Sequence, residues 1–518
     1  MNFNLAKIGM VLMAVLSTAK VMAVGPLVIQ VPAVTEQRYD WNSVRPGGEE
    51  HPTFLGRGCR GEWVPVSFVA LTPGGLHNLM VKVNLPGFET DVKWVKWTWV
   101  SGQYSQDNRH PAWCPLWLVH DFDLVQVDRD TPGPVKHRPL VDDSPTLKPM
   151  NLPAEYLGYN QQVWLDVHVL PTTPVGEHLG TVTITSDETP PVVVPLKFYV
   201  WPFELVKPRI EYAVCYRATI QIAEPDATCS DVLKTLSQAK ADFKDMVRHG
   251  CTNAVSYEPC GKGMALAFGA RRAAGMSNER YITCGGYQGM GPYKEYDAQW
   301  GVKENYVYGP NENSKDADWA ALTAPWRESQ KQGAKVWGWI NSVGWLDRVG
   351  ASVDMAVTNW PPSVDVAAVV KAAHKRGILM YAYGQPQTGG LHPVDYRRND
   401  GVRLWAFGFD GVIPYAYQHT FPDGGDAWDD FAVTTQVPRD IYRSHNFTYP
   451  ALHGPVATLS WEGYAAATVD TRYLTTLEQY ASHPQVAAFL AQCKAEADTI
   501  DLDAMRQRAA QLIVECEG

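Results

Sequence analysis

The chain has 518 residues, several times the length of a common single domain, so we expect one large domain with at least one accessory domain. Hydrophobic residues make up 45% of the sequence and charged residues 19%, a composition that supports a large core and excludes a disordered protein. The 45 basic and 55 acidic residues give a net charge of −10, which argues against nucleic acid as a partner. The 19 tryptophans supply flat apolar faces of the kind that sugar-binding sites use.

The first 23 residues have the pattern of a secretion signal. Lys7 precedes the apolar stretch Ile8–Leu16, and the segment ends with the small-residue cleavage pattern Val21–Ala23. The apolar stretch is too short to cross a bilayer core of about 30 Å, and no later segment is long enough. We therefore expect residues 1–23 to be a signal peptide, the mature protein to be secreted, periplasmic or on the cell surface, and no membrane span.

Nine cysteines are spread thinly over the chain, at Cys59, Cys114, Cys215, Cys229, Cys251, Cys260, Cys284, Cys493 and Cys516. Their number is odd and no C-x-x-C pair or tight Cys/His cluster occurs, so the sequence predicts neither a disulfide scaffold nor a structural zinc site. Pairs such as Cys59 with Cys114, or Cys493 with Cys516, stay open in an oxidising compartment. The sequence calls for no metal and no cofactor, and it leaves the oligomeric state open.

Residues 24–204 contain short alternating or β-rich runs separated by Pro, Gly and Asp, among them WVPVSFVAL, HNLMVKVNL and PVVVPLKFYVWPF. Runs of this kind with closely spaced turn signals predict an antiparallel β-sandwich. The sequence YVWPFEL closes the last run, and we expect a domain boundary near Leu205–Pro208.

Beyond this boundary strands alternate with helices. Seven strands are recognisable, at IEYAVCYRA, TNAVSYE, NYVYG, AKVWGWI, DMAVTNW, GILMYAY and DGVIPYAY, and the third in order is missing within the glycine-rich stretch Met264–Gln299. Gly333, Gly377 and Gly408 stand just after helical patterns, at the usual C-terminal cap position. Repeated βα units predict a (β/α)8 TIM-type barrel over 205–425, and residues 426–518 would complete it and end in helices. The predicted fold class is multidomain β plus α/β.

In such a barrel the active site gathers at the C-terminal ends of the strands. The residues at those ends are Tyr216 and Arg217, Tyr257 and Glu258, Tyr308 to Glu312, Trp339 to Ser342, Asn359 and Trp360, Tyr383 to Gln385, and Tyr415 to His419. The set is rich in aromatic and amide side chains and poor in metal-binding clusters, which favours a sugar as the ligand. Our candidates for substrate binding are Tyr308, Trp339, Asn341, Trp360, Tyr383, Tyr415, Tyr417 and Glu258.

The segment YVYGPNENS holds the candidates for catalysis. A strand ends at Tyr308, Gly309 and Pro310 bend the chain, and Asn311 and Glu312 follow. A single carboxylic acid among aromatic groups suits protonation of a leaving glycosidic oxygen. The alternative is that Asn311 caps the next helix and Glu312 occupies its first turn, where a negative charge is favoured anyway.

Several long motifs occur in a fixed order along the chain. They are VWLDVHVLPTTPVGEHLGTVTITSDETPPVVVPLKFYVWPFEL, then YVYGPNE, GAKVWGWI, YRRNDGVRLWAFGFDGVIPYAY and LSWEGYAAATVDTRYLTTLE. This order resembles the glycoside hydrolase family 123-type proteins and their uncharacterised relatives over nearly the whole mature chain. In that family an Asp-Glu pair follows the fourth strand: the Glu is the acid/base, and the Asp orients the substrate's N-acetyl group, which attacks the anomeric carbon. The resemblance implies removal of β-linked N-acetylgalactosamine, with Glu312 as the acid/base.

The sequence departs from that pattern in two places. Asn311 occupies the position of the Asp, and Ala465 and Ala466 stand about where relatives have Arg-Glu. Replacing the Asp carboxylate by an amide removes a full charge from the site, a loss typically worth about 3 kcal/mol. Asn311 still offers hydrogen bonds to a 2-hydroxyl or 2-acetamido group. An Asn before the acid/base Glu also occurs in retaining barrel glycosidases, which need a second carboxylate about 5 Å away; candidates here are Glu258, Asp423 and Asp426.

The sequence thus predicts a secreted glycoside hydrolase, exo-acting on a β-linked N-acetylhexosamine or a related glycan. The alternative is a catalytically impaired, glycosidase-like protein that binds carbohydrate. In the tail motif we expect Asp470 and Arg472 to form a structural ion pair.

Overall fold

The computed structural model describes residues 25–37, 39, 43, 45–72, 74–100, 112–127, 136–137, 142–155, 158–223, 226–284, 297–310, 319–340, 342–359, 365–383, 392–420, 426–428 and 445–518. The predicted signal peptide lies outside these residues.

The described residues of the N-terminal part of the chain form twelve strands. They are β1 (Leu27–Val31), β2 (Phe54–Gly58), β3 (Trp63–Thr72), β4 (Leu76–Asn84), β5 (Phe88–Val100), β6 (Ala112–Val119), β7 (Val125–Gln126), β8 (Lys136–His137), β9 (Met150–Leu152), β10 (Tyr159–Val169), β11 (Gly176–Thr185) and β12 (Val192–Val200).

Ten of these strands build two five-stranded sheets, in the orders β1-β3-β10-β5-β6 and β2-β12-β11-β4-β9. All neighbours are antiparallel except β2 and β12, which run parallel. Strand β12 buries Val194, Leu196 and Phe198 at every second position, as a strand with one face in a core must. These side chains share a core with the other sheet.

Strand β10 is buried on both faces. Val163 and Leu165 point into the core between the sheets, whereas Trp164 packs with residues of the following barrel. The sheet that contains β10 therefore lies between the sandwich core and the barrel, which explains why its sequence is apolar at nearly every position.

The second half of the chain contains eight parallel strands that close into a barrel. The described strands of this half, including four outside the barrel, are in chain order β13 (Glu211–Tyr216), β14 (Thr219–Ile220), β15 (Leu233–Lys234), β16 (Asn253–Ser256), β17 (Arg280–Thr283), β18 (Glu304–Tyr308), β19 (Lys335–Trp339), β20 (Met355–Thr358), β21 (Leu379–Ala382), β22 (Gly411–Val412), β23 (Thr448–Pro450) and β24 (Pro455–Ala457). The barrel order is β13-β16-β17-β18-β19-β20-β21-β22. The predicted multidomain β plus α/β fold is confirmed, and β17 is the strand that the sequence pattern left unassigned.

Helices connect the strands and follow the barrel. They are Leu236–Arg248, Lys262–Ala273, Trp319–Lys331, Val343–Val349, Val366–Lys375, Pro393–Arg397, Leu404–Phe407, Leu459–Glu478, Pro484–Ala495 and Leu502–Glu517, with a 3-10 turn at Gly350–Ser352 and a π-helical segment at Arg398–Arg403. Gly333, Gly377 and Gly408 have φ angles of +93°, +72° and +78°, so each ends its helix in a conformation that favours glycine. None of the helices in the described part of the chain is long and apolar enough to cross a bilayer.

Charged side chains close the N-terminal end of the barrel. The Arg280 guanidinium bonds Glu304 at 2.8 Å and the Tyr381 hydroxyl at 3.0 Å, and it also contacts Glu211. Tyr381 completes the group by donating to Glu211. Because these groups satisfy one another, they form a structural floor, and the opposite end of the barrel is left for ligands.

The helix Leu459–Glu478 shows one difference from the sequence prediction. Asp470 is fully buried and pairs with Arg397 at 2.7 Å and with Arg506 at 2.6 Å. Arg472 instead donates to the carbonyls of Leu205 and Val206. The predicted Asp470–Arg472 pair is therefore wrong, because residues two apart on a helix point in different directions.

All nine cysteines lie within the described ranges, and all are reduced thiols. The two disulfides that the sequence left open, Cys59–Cys114 and Cys493–Cys516, are not formed. Cys59 lies instead within 3.5 Å of the Tyr473 hydroxyl.

Candidate active site

A concave cavity of about 170 Å³ lies at the C-terminal end of the barrel strands. Five aromatic side chains form most of its wall: Tyr257, Tyr308, Trp337, Trp339 and Tyr383. Cys215, Cys284 and Val357 also line it. Each of these eight described side chains is uncharged at neutral pH, so this part of the wall offers flat faces, hydroxyl groups and an indole N–H.

The barrel interior beneath the cavity is packed with side chains. Tyr306, Met355 and Tyr381 are fully buried there and form one cluster with Trp337 and Val357. The barrel interior is therefore filled, as in most parallel eight-stranded barrels, and the cavity is a shallow depression at the C-terminal end of the barrel.

Two tryptophans of β19, Trp337 and Trp339, line the same wall but differ in the hydrogen bonding of their indole nitrogens. The Trp337 indole nitrogen donates to the Thr283 carbonyl at 2.9 Å, and its ring packs 4.9 Å from that of Tyr308. The Trp339 ring meets that of Trp345 edge-on at 5.1 Å. Trp337 is thus fixed from two sides.

Two buried polar atoms near this wall have no partner among the described residues. One is the indole nitrogen of Trp339, at the end of β19, and the other is the side-chain oxygen of Asn359, just after β20. Buried polar atoms nearly always make a hydrogen bond. A donor and an acceptor on adjacent strands suit hydroxyl groups, which can both accept and donate.

The rim beside Tyr383 contains a second set of polar groups. The Tyr383 and Tyr415 rings lie 6.4 Å apart, and the Tyr415–Ala416 peptide bond is cis. The Tyr415 hydroxyl accepts a 2.9 Å hydrogen bond from the Arg217 Nη1, which also donates to the Nε2 of His419. A guanidinium can only donate, so the His419 Nε2 accepts and its ring is neutral.

The two thiols of the cavity are poor nucleophiles. Burial raises the pKa of the Cys284 thiol to about 12, and it raises the pKa of the Cys215 thiol well above its usual value. Both thiols stay protonated at neutral pH, and the thiolate is the reactive form. In the described part of the chain, no three His, Cys, Asp or Glu side chains are grouped as metal ligands.

The structure brings three of the predicted substrate-binding residues together. Tyr308, Trp339 and Tyr383 all line the cavity, and Tyr415 lies beside it at the rim. The predicted residues Asn311, Glu312, Asn341 and Trp360, together with Asp423, lie outside the described residues.

The described chain before Asn311 is held firmly at the mouth. The Gly309 amide donates to the Trp337 carbonyl at 2.6 Å, and the Trp339 amide donates to the Pro310 carbonyl at 2.8 Å. Both bonds connect the end of β18 to β19, the strand that contributes Trp337 and Trp339 to the cavity wall. Asn311 and Glu312 follow Pro310 directly in the sequence.

The structure places Glu258 and Tyr417 apart from the cavity lining. The Glu258 carboxylate accepts from the Ile220 amide at 2.8 Å and lies against Gly263, and burial raises its pKa. Tyr417 is fully buried among the outer helices, where its hydroxyl donates to Asp245 at 2.9 Å.

Sequence reasoning did not single out four of the lining residues. Cys215, Cys284 and Val357 belong to no motif, and Trp337 belongs to the motif GAKVWGWI but was not among the candidates for substrate binding. Cys215 lies two residues after Ala213 on β13, so both side chains point to the same side of the strand, and both belong to the cluster in the barrel interior. Period-two alternation along β13 is the signal that could have found it.

No protein-family model and no curated protein matches the chain. Among solved structures it is similar to a family 123 glycoside hydrolase from Clostridium perfringens, studied for glycolipid glycan hydrolysis, with a TM-score of 0.65, 10% sequence identity and coverage of 95% of this chain and 97% of that one. A GH5 xyloglucanase from Bacteroides ovatus gives a TM-score of 0.27 at 8% identity, covering 82% of this chain and 98% of that one. A family 17 β-1,3-glucanosyltransferase from Rhizomucor miehei gives 0.29 at 13% identity, covering 45% and 98%. The chain therefore has a fold like that of a family 123 glycoside hydrolase.

Proposed function

We propose that the protein is a glycoside hydrolase that binds the terminal sugar of a glycan in the cavity at the barrel mouth. The observation that carries this proposal is the cavity at the C-terminal end of a parallel eight-stranded barrel, whose described lining is mostly aromatic and uncharged. Aromatic faces stack on the apolar faces of sugar rings. The Trp339 donor and the Asn359 acceptor, which have no partner among the described residues, suit sugar hydroxyls.

The size of the cavity supports exo-action. Pockets that hold drug-sized ligands measure about 300–1,000 Å³, and this cavity is about 170 Å³. A volume of this size suits a single sugar ring better than several consecutive rings. We infer that the substrate is a β-linked N-acetylhexosamine or a related glycan, on the strength of the family resemblance.

Glu312 is the proposed general acid/base. Its carboxyl group would donate a proton to the glycosidic oxygen as the bond to the anomeric carbon breaks, and the carboxylate would then take a proton from the incoming water. An aromatic and uncharged surrounding helps a carboxyl group to keep its proton until that step. Asn311 would contact the 2-substituent of the sugar, and Tyr308, Trp339, Tyr383 and Tyr415 would hold the ring.

Replacing Glu312 by Gln tests this assignment. We expect kcat/KM on chromogenic β-glycosides to fall by about 10² to 10⁴, because the proton donor is lost, while sugar affinity changes less than about threefold. The panel should pair glycosides with and without a 2-acetamido group. Glu328→Gln is the matched control, since Glu328 is exposed on the following helix, where it forms an ion pair with Lys331. Unchanged turnover in Glu312→Gln would refute the role.

The alternative function is carbohydrate binding without hydrolysis. The amide of Asn311 favours it, because the family resemblance places a carboxylate there. The same panel separates the two functions. Tight binding of glycans by the wild-type chain, with no turnover of any glycoside, would establish the binding protein.

We also propose that the protein is secreted, periplasmic or on the cell surface. The charged, apolar and small-residue order of residues 1–23 supports this location.

A further inference from the structure

A second cavity, of about 140 Å³, lies where the β-sandwich meets the barrel, and we call it the junction cavity. Its described wall combines residues of β3 and β10 with residues of three helices, Leu236–Arg248, Leu459–Glu478 and Leu502–Glu517. It shares no described lining residue with the cavity at the barrel mouth. Cavities between two structural units are common ligand sites. Its volume is close to that of the barrel-mouth cavity, so it too suits a ligand with a single ring.

The described wall of the junction cavity carries charges of both signs. The basic residues are Arg248, His249, Arg472 and Arg506, and the acidic residues are Glu62, Asp166 and Glu462. His249 is positively charged because Asp245 and Glu462 outweigh its burial and raise its pKa to about 10. Behind the wall, Asp470 pairs with Arg506, and Lys93 pairs with Asp166. An ion in this cavity would be attracted by one set of groups and repelled by the other, so the described wall favours a ligand without net charge.

Two guanidinium groups of the wall each keep one nitrogen for a ligand. Arg472 donates from Nε and Nη2 to two backbone carbonyls. Arg506 donates from Nε to Asp470 at 2.6 Å and from Nη2 to the Ala466 carbonyl at 3.0 Å. In both side chains, Nη1 makes no hydrogen bond to a described residue. An arginine nitrogen only donates, so each Nη1 bonds an acceptor that a ligand or water supplies.

Two carboxyl groups of the same wall each keep one oxygen. The Glu62 Oε2 accepts from the Tyr473 hydroxyl at 3.0 Å and also from the Cys59 amide. The Glu462 Oε1 lies 3.3 Å from the Nε2 of His249. The second oxygens, Glu62 Oε1 and Glu462 Oε2, make no hydrogen bond within the described ranges. An ionised carboxylate oxygen only accepts, so both can take a donor from a ligand.

The arginine and carboxyl groups are close enough to influence one another without bonding directly. Burial raises the pKa of Glu62, and the charges of Arg506 and Arg472 oppose this rise. Neither guanidinium forms an ion pair with Glu62 among the described contacts, so a ligand in the cavity can bridge these groups. A hydroxyl group accepts from an arginine and donates to a carboxylate, and it can bond the protonated form of Glu62 as well. A sulfate ion only accepts and an ammonium ion only donates, so neither satisfies both sets.

We propose that the junction cavity is a second binding site, which holds a neutral sugar ring through its hydroxyl groups. These hydroxyls would accept from the two arginine Nη1 atoms and donate to the second carboxyl oxygens of Glu62 and Glu462. A bound sugar would contact β3 and the helices beside the barrel, so it would also stabilise their association. The inference concerns binding alone and does not depend on hydrolysis at the barrel mouth.

Calorimetric titration of the wild-type protein and of two cavity variants tests the site. The neutral probes are methyl β-galactoside and methyl β-N-acetylgalactosaminide, and the charged probes are sodium sulfate and methylammonium chloride. Ala465→Met lengthens a half-buried side chain of the cavity wall, so it fills the space that the sugar needs. We expect the wild-type protein to bind at least one of the neutral sugars in this cavity, and Ala465→Met to weaken that binding at least tenfold.

Arg472→Gln removes one of the two donors, and we expect it to weaken the same binding at least tenfold, because a charge-assisted hydrogen bond is lost. The matched controls are Ala488→Met, at an exposed position of the helix Pro484–Ala495, and Arg508→Gln. Arg508 pairs with Glu515 and is not part of the described lining. Neither control should change binding. Circular dichroism and urea denaturation check folding, and Ala465→Met keeps the test decisive if Arg472→Gln is unstable.

Trp339→Phe distinguishes this site from the barrel mouth, because it should weaken a different component of the titration from the one that Ala465→Met weakens. Three results would each overturn the inference: no sugar binding by the wild-type protein, an undiminished titration in Ala465→Met, or tighter binding of sulfate or methylammonium than of the sugars at the component that Ala465→Met removes. Such a component in a protein without turnover leaves this inference standing and removes hydrolysis. Turnover together with an undiminished titration in Ala465→Met does the reverse.

Discussion

At the scale of single residues, Trp337 and Trp339 show how one strand gives identical side chains different roles. Both belong to β19 and both line the cavity. The Trp337 N–H is bonded to the Thr283 carbonyl, whereas no described residue accepts from the equally buried Trp339 N–H. The first N–H therefore contributes to the stability of the barrel, and the second is available to a ligand.

Replacing each tryptophan by phenylalanine separates these roles. Trp339→Phe should weaken sugar binding about 3- to 10-fold, the value of one lost neutral hydrogen bond, and should cost little stability beyond the lost ring volume. Trp337→Phe removes a similar volume and also the hydrogen bond to the Thr283 carbonyl, so its free energy of unfolding should be lower by a further 0.5–1.5 kcal/mol or so. Calorimetric titration and urea denaturation of both variants measure the two effects. Equal stability of the two variants would contradict this assignment.

The predicted binding residues that line the cavity are those at the ends of regular strands. Tyr308, Trp339 and Tyr383 lie at or just after the ends of β18, β19 and β21, where alternation fixes the direction of a side chain. Tyr417 comes five residues after β22 ends at Val412, in irregular chain, and its ring packs among the outer helices. Sequence position therefore predicts the direction of a side chain within a strand and at its end, but not in the irregular chain that follows.

At the scale of elements, β18 and β19 form the unit that leads to the proposed catalytic residues. Gly338 is essential to this unit because a Cβ atom there would lie about 2.5 Å from the Pro310 carbonyl oxygen. That carbonyl accepts from the Trp339 amide, so the close approach of the chain to β19 depends on the missing side chain.

Gly338→Ala is expected to displace the segment that ends at Pro310. Overpacking of this kind costs about 1–3 kcal/mol of stability, and we expect kcat/KM to fall at least tenfold as the chain before Glu312 shifts. Gly344→Ala is the matched control: its added methyl group meets open space next to the Ser342 hydroxyl, so stability should be unchanged or up to about 1 kcal/mol higher. Wild-type activity in Gly338→Ala would show that the Pro310 segment does not position the proposed catalytic residues.

Helix ends and most barrel strands could be predicted because their signals are local. Glycine caps at Gly333 and Gly377 follow from the need for a positive φ angle, which other residues adopt with strain. Strand β17 lacks a local signal, because Tyr281 and Ile282 are its only apolar residues between Arg280 and Thr283. It becomes a strand through its pairing with β16 and β18, which sequence periodicity does not report.

At the scale of the whole molecule, buried charges connect the sheets to the barrel. Arg248, at the end of the first barrel helix, bonds Asp166 of β10 at 2.6 Å. Next to it, His249 lies between Asp245 at 3.2 Å and Glu462 of the helix Leu459–Glu478 at 3.3 Å. Arg248 and Asp166 are 82 residues apart in the sequence, and His249 and Glu462 are 213 residues apart. Because of this separation, no local sequence pattern predicts either pair.

The protonation of His249 should make the stability of the contact between the helices Leu236–Arg248 and Leu459–Glu478 depend on pH. Burial alone would lower the pKa of His249, but the charges of Asp245 and Glu462 outweigh burial and raise it to about 10. The pKa in the unfolded chain is about 6.5. A group whose pKa is higher in the folded than in the unfolded state stabilises the fold while it is protonated in both states. The His249 contribution is therefore complete below pH 6.5 and is lost as the pH rises to about 10.

We therefore expect the free energy of unfolding of the wild-type protein to decrease between pH 6.5 and pH 10 by an amount on the order of a few kcal/mol. His249→Gln should be less stable at pH 6.5 and less dependent on pH, because Gln carries no proton to lose. His120 contributes over the same window, since Asp143 and Asp91 outweigh its burial and raise its pKa to about 9, so the difference between the two proteins isolates His249. His483→Gln, at an exposed position, should follow the wild-type curve. Urea denaturation at intervals across this range measures all three proteins, and parallel curves for wild type and His249→Gln would show that the His249 charge does not stabilise the contact between the two helices.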